Sequence, residues 1–135
     1  VNTDYVLADL KSGKNLLIDA RESTRFLGTE EAIDCIAGHI PGAINHPHRE
    51  NQFSGTFKSP GQLKGEYQKL TAGYQAEEVI HMCGSGVTAC ENLLAMEYCG
   101  IPGSRLYVGS WSEWITNPKR PIVLADLKES IAKKS

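Results

Sequence analysis

V-I-H-M-C-G-S-G-V-T-A-C-E-N-L-L-A-M-E-Y-C-G, Val79 to Gly100, is the stretch on which the reading of this chain turns. A short apolar run ends at Cys83, a glycine-spaced turn follows, and apolar residues then recur at helical spacing, which predicts strand, loop and helix. Gly84 and Gly86 let the loop curl with successive N–H groups pointing inward, a concavity suited to an anion. The predicted helix, with Ala89, Leu93 and Met96 on one stripe and Gly100 as its stop, aims its positive end at the same point. Cys83 is therefore placed where a thiolate, the nucleophilic form of cysteine, is favoured. The competing reading is a buried, inert cysteine.

Outward from this stretch, the other segments read as alternating strands and helices. Asn15 to Ala20 is apolar without alternation, the mark of a strand covered on both faces of a parallel sheet, and Arg105 to Val108 predicts a last strand. Asp4 is the expected cap of a first short helix that carries Tyr5, Val6, Leu7 and Leu10 and stops at Ser12-Gly13. Ser59 and Pro60 predict the start of another, with Leu63, Tyr67 and Leu70 on its buried stripe and Gly73 as its end. Asn51 to Lys58 reads as a loop anchored by Phe53 and Phe57. Trp111 and Trp114 read as one face of a short helix packed on the core. Asp19, at a strand's carboxyl end, is expected to accept N–H bonds from the following loop. The pattern is that of an α/β domain whose ligands bind beyond the carboxyl ends of the strands.

With 135 residues, one domain over residues 1–125 is expected, followed by a helical tail or extension over 126–135. A net charge of −2 supplies no field favouring nucleic acid or an anionic membrane, so any anion must be held locally. No apolar run approaches the roughly 18 residues of a membrane helix, and no signal-peptide pattern opens the chain. The four cysteines, at 35, 83, 90 and 99, form no C-x-x-C pair, which suits free thiols in a reducing compartment, by default the cytoplasm. His39, His46 and His48 do not by their spacing make a tetrahedral metal site, and turn histidines held by backbone carbonyls are expected instead. Neither a metal nor a cofactor is called for.

C-G-S-G-V-T-A, Cys83 to Ala89, resembles the active-site loop of the 3-mercaptopyruvate sulfurtransferases of the rhodanese superfamily. Related thiosulfate sulfurtransferases carry basic residues where Gly84 and Ser85 stand here. Further stretches share the resemblance: D-A-R at Asp19 to Arg21, R-F-L-G at Arg25 to Gly28, G-H-I-P-G-A-I-N-H-P at Gly38 to Pro47, K-S-P at Lys58 to Pro60 and G-S-W-S-E-W at Gly109 to Trp114. It covers roughly residues 3 to 123 and implies a three-layer α/β fold around a mainly parallel, five-stranded sheet. It also implies sulfur transfer from 3-mercaptopyruvate or thiosulfate, through a persulfide on Cys83, to cyanide or to a thiol such as thioredoxin.

In that resemblance Cys83 and Ser85 are catalytic, while Arg25 and the loop residues Gly84, Gly86, Val87, Thr88 and Ala89 bind substrate. Arg25 would take a substrate carboxylate bidentately, as a planar guanidinium does. Arg21 would be structural. Ser85 would join a proton relay whose acid belongs to a preceding rhodanese domain, so a partner domain is implied. The sequence departs from the pattern at Asp34, where the mercaptopyruvate enzymes carry a second arginine. A phosphatase or arsenate reductase needs C-x-x-x-x-x-R to grip phosphate, and the corresponding residue here is Ala89. A binding module built on the same fold is the remaining alternative; the presence of Cys83 speaks against it.

Overall fold

Leu16–Asp19 forms β1 and Val79–Met82 forms β5 in the computed structural model, which describes residues 1–28 and 36–124. The two strands pair in parallel from Leu16 opposite Val79 to Asp19 opposite Met82. Every residue of both is buried, the reason they read as unbroken apolar runs rather than as alternation. β2 (Ile44–Asn45) flanks β1, and β6 (Arg105–Leu106) flanks β5, giving a parallel sheet of order β2-β1-β5-β6. Side chains alternate between its two faces. Leu17, Ile80 and Met82 pack with Val6, Phe26, Tyr107, Trp111 and Trp114. Leu16, Ile18 and Val79 pack with Leu63, Tyr67, Ala95 and Met96.

Helices α1 (Thr3–Ser12), α2 (Ser23–Leu27) and α5 (Ser110–Trp114) supply the first core, and α3 (Pro60–Leu70) and α4 (Ala89–Tyr98) the second. Three layers result. The cap of α1 is Asn2, not Asp4: Asn2 has the extended backbone a cap requires and accepts the Tyr5 N–H, while Asp4 lies inside the first turn. Ser59 caps α3 by accepting the Gln62 N–H, with Pro60 in the first turn as expected. The helix ends at Leu70, before Gly73, with Thr71 as its C-cap; the Thr71 hydroxyl and N–H both donate to the Tyr67 carbonyl.

Two expectations are corrected. Among the described residues the sheet has four strands rather than five; an antiparallel bridge between His39 and Val123 stands apart from it. The supposed loop after Asn51 contains an antiparallel hairpin, β3 (Gln52–Phe53) and β4 (Thr56–Phe57). Ser54 and Gly55 at its tip both have positive φ, 53° and 82°, the twist a two-residue hairpin turn demands. Phe53 is exposed, and only Phe57 serves as an anchor, its ring 5.8 Å from that of Tyr98. The tail over 126–135 lies outside the described residues.

His81, between Ile18 and Leu106 in the sheet, is fully buried with neither ring nitrogen bonded. Burial, aided by the nearby His46, lowers its pKa from 6.5 to about 4. The unfolded chain thus takes up a proton that the folded one refuses as pH falls from 6.5 towards 4. Stability is full above pH 6.5 and declines through this window by roughly 3 kcal/mol for the 2.5-unit difference. Urea unfolding across this range is expected to show the decline, and His81→Leu to flatten it. Equal slopes in both proteins would contradict the assignment.

Candidate active site

β5 delivers Cys83 to the carboxyl edge of the sheet, where the Ala20 N–H donates to the Met82 carbonyl and extends the ladder from β1. Cys83 is 1% exposed and packs with Ala20, Ala89 and Leu106. The chain then turns through Gly84 to Thr88 into α4, whose positive end faces the turn. Of the N–H groups expected to point inward, that of Gly86 donates to Cys83 Sγ at 3.0 Å. Gly86 has φ +92°, and a Cβ there would lie 2.5 Å from the Val108 carbonyl oxygen, so both backbone angle and space demand glycine. Cys90 Sγ bonds to the Gly86 carbonyl at 3.4 Å from the first turn of α4.

Arg25 reaches the same loop from α2. Its Nη2 lies 3.2 Å from where a Cβ on Gly84 would stand, so the glycine leaves room for the guanidinium. Arg25, Cys83, Gly84 and Gly86 are thus brought together. Val87 is 73% exposed and turned outward, which leaves its main chain as its means of binding. Ser85 is exposed at the loop surface, and Thr88 occupies the N-cap of α4 without a side-chain capping bond. Asp34 and Cys35 lie outside the described residues.

A family model described as "Rhodanese-like domain" matches residues 2–117. The chain belongs to the rhodanese-like family. It is 50% identical over 111 residues to the "Probable 3-mercaptopyruvate sulfurtransferase" of Pseudomonas aeruginosa, covering 82% of this chain and 39% of that protein. Mouse thiosulfate sulfurtransferase is 37% identical over 115 residues, with 82% and 38% covered. The solved Tum1 protein of Saccharomyces cerevisiae superposes with a TM-score of 0.76 at 29% identity, over 93% of this chain and 46% of that one. This rhodanese-like chain therefore spans less than half the length of the relatives it matches.

The wall of the rhodanese-like site that sequence reading missed is the segment from Val108 to Ser112. Ser110 Oγ accepts the Cys83 N–H at 3.1 Å, the Trp111 N–H donates to the Cys83 carbonyl at 3.0 Å, and the Ser112 N–H and hydroxyl both donate to the Gly84 carbonyl, at 2.8 and 2.6 Å. The G-S-W between strand and helix is its signal, a motif that the sequence offers for core packing and family resemblance but not for the site. Behind it, the Arg21 guanidinium grips Asp19 at 2.8 Å, donates to the Gly38 carbonyl at 2.7 Å and lies 4.6 Å from the Trp111 ring centroid. Asp19 also accepts the Arg21 N–H at 3.0 Å, as its position predicts. Arg21 and Asp19 hold the frame of the site rather than its floor.

The histidines divide. His39 Nδ1 pairs with the Phe26 carbonyl at 2.7 Å, the backbone partner expected. His46 meets a side-chain amide instead: its Nε2 and the Tyr67 hydroxyl both donate to Asn51 Oδ1, at 3.2 and 2.6 Å. Asn51 Nδ2 donates to Asn92 Oδ1 at 2.6 Å, and Asn92 Nδ2 returns to the His46 carbonyl at 2.9 Å. This closed ring ties the segment after β2 to α3 and α4, and burial lowers the His46 pKa and raises that of Tyr67. Asn92 occupies the buried stripe of α4 where Leu93, only half-buried, was expected.

Proposed function

We propose that this chain transfers sulfane sulfur from 3-mercaptopyruvate through a persulfide on Cys83 to a thiol or cyanide, with thiosulfate the lesser donor. The supporting observation is Cys83 Sγ receiving the Gly86 N–H beneath a loop that Arg25 touches at Gly84. In the reaction, the Cys83 thiolate attacks the substrate sulfur. The carbon–sulfur bond breaks, its electron pair leaves with pyruvate as the enolate, and the sulfur stays on Cys83. An acceptor thiolate or cyanide then takes the outer sulfur and returns Cys83 as thiolate. Arg25 orients the substrate carboxylate, and the backbone of Gly84, Gly86, Val87, Thr88 and Ala89 stabilises the sulfur anion as preorganised donors do.

Ser85 serves proton transfer, completed by an acidic group of a preceding rhodanese domain; relatives more than twice as long support such a partner. Thioredoxin or a small thiol fits the acceptor role. No described helix is long and apolar enough to cross a membrane, and the described cysteines are free, which supports a reducing site such as the cytoplasm.

The donor preference rests on Gly84. With glycine there and serine next to it, the loop adds no basic side chain of its own beside the Arg25 guanidinium, which suits a monocarboxylate rather than the thiosulfate dianion. Side-by-side assays with cyanide as acceptor are expected to show faster turnover with 3-mercaptopyruvate, low in absolute terms and rising when a preceding domain is restored. Faster turnover with thiosulfate would overturn the preference.

Arg25→Ala separates binding from folding. Loss of a charged hydrogen bond to substrate is expected to lower kcat/KM about 10- to 150-fold with the melting temperature nearly unchanged. Lost stability with unchanged kinetics would mark Arg25 as structural.

A further inference from the structure

Ser110 combines two features that ordinary packing does not require. It is a non-glycine residue at φ 54°, in the left-handed region, and it is fully buried. Such a conformation is strained, persists only where the surroundings impose it, and gathers at functional sites. Here it carries the side chain under the candidate nucleophile. An N–H can only donate, so Ser110 Oγ is the acceptor of the Cys83 N–H at 3.1 Å; its own proton goes to the Tyr107 carbonyl at 2.8 Å. The hydroxyl is thereby held in one orientation. Trp111 and Ser112 grip the next two carbonyls, of Cys83 and Gly84, so consecutive residues of one segment clamp the peptide groups on both sides of Cys83.

We propose that Ser110 is a positioning residue for the nucleophile: its oriented hydroxyl fixes the backbone of Cys83 so that Sγ stands on the Gly86 N–H. This rests on the sulfur-transfer reading of Cys83. It gives serine a role at a position where glycine would relieve the backbone, since glycine carries no hydroxyl. Loss of the hydroxyl leaves the Cys83 N–H unpaired, and its loop free to shift by the fraction of an ångström that costs catalysis rather than binding.

The test compares Ser110→Gly with Ser110→Ala, which lose the same hydroxyl but differ in strain. Both variants lose the buried hydroxyl's bonds, but glycine accepts the left-handed backbone and alanine does not, so the melting temperature is expected to fall less for Ser110→Gly than for Ser110→Ala. Both are nonetheless expected to lose kcat with 3-mercaptopyruvate by about 10- to 100-fold, with KM within about twofold. Amide hydrogen exchange, which needs no substrate, is expected to quicken at both Cys83 and Gly86 in Ser110→Gly. A Ser110→Gly protein with wild-type kcat, or with wild-type exchange at Gly86, overturns the proposal. Absence of turnover in the wild-type chain with either donor counts against sulfur transfer itself, and the exchange arm then still decides whether Ser110 sets the loop.

Discussion

Replacement of Cys83 by serine is expected to abolish sulfur loading and to lower turnover by at least about a thousandfold, because a hydroxyl neither ionises near neutral pH nor forms the persulfide. Incubation with 3-mercaptopyruvate, followed by intact mass and peptide mapping, is expected to place one added sulfur on Cys83 in the wild type and none in Cys83→Ser. The other described cysteines lack its setting. Cys99 closes α4 at the end away from the loop, donates to the Met96 carbonyl at 3.4 Å, and has its thiol pKa pushed up by burial. Cys90 is exposed on the helix and spends its thiol on the Gly86 carbonyl. Cys90→Ser and Cys99→Ser are therefore expected to load like wild type. Persulfide found mainly on Cys35, Cys90 or Cys99 would sink the assignment of Cys83.

Removal of Asp19 is expected to produce the largest loss of stability. Asp19→Ala leaves the Arg21 guanidinium without its carboxylate in a place where the two side chains are only 3% and 0% exposed. Stripping one partner from a buried ion pair costs about 3–5 kcal/mol, since the remaining charge is neither paired nor hydrated. For a chain of this size that is a fall of roughly 10–20 °C in melting temperature. The same guanidinium stacks on Trp111, whose N–H holds the Cys83 carbonyl, so residual activity is expected to fall with the fold. Glu22→Gln is the control. It breaks the Glu22–Arg49 pair, whose side chains are 40% and 75% exposed, and is expected to shift stability by less than about 1 kcal/mol. Equal losses in the two variants would show that the buried pair carries no special weight.

Residues near one another in the chain determined much of this protein by themselves. Leu16 to Asp19 and Val79 to Met82 are legible because a strand buried on both faces must be apolar at every position, whatever its neighbours are. Ser59 and Pro60 announce α3 because capping is a bond across three residues. The Cys83 loop is legible for the same reason: thiol, glycines and helix start lie within one turn of chain, and Gly86 reaches Sγ from three residues away. What only the tertiary structure decided depends on distant partners. The hairpin after Asn51 rests on the left-handed pair Ser54 and Gly55, a conformation those residue types permit but do not demand. Asn51 and Asn92 are ordinary polar residues until folding sets them against each other across 41 positions in the middle of the core. Ser110 is one serine in a turn until the sheet brings it beneath Cys83, 27 residues away, and packing holds its backbone where an isolated chain would not. Local steric and capping rules act before the chain folds; buried hydrogen bonds and ion pairs gain their strength only once the fold has excluded water around them.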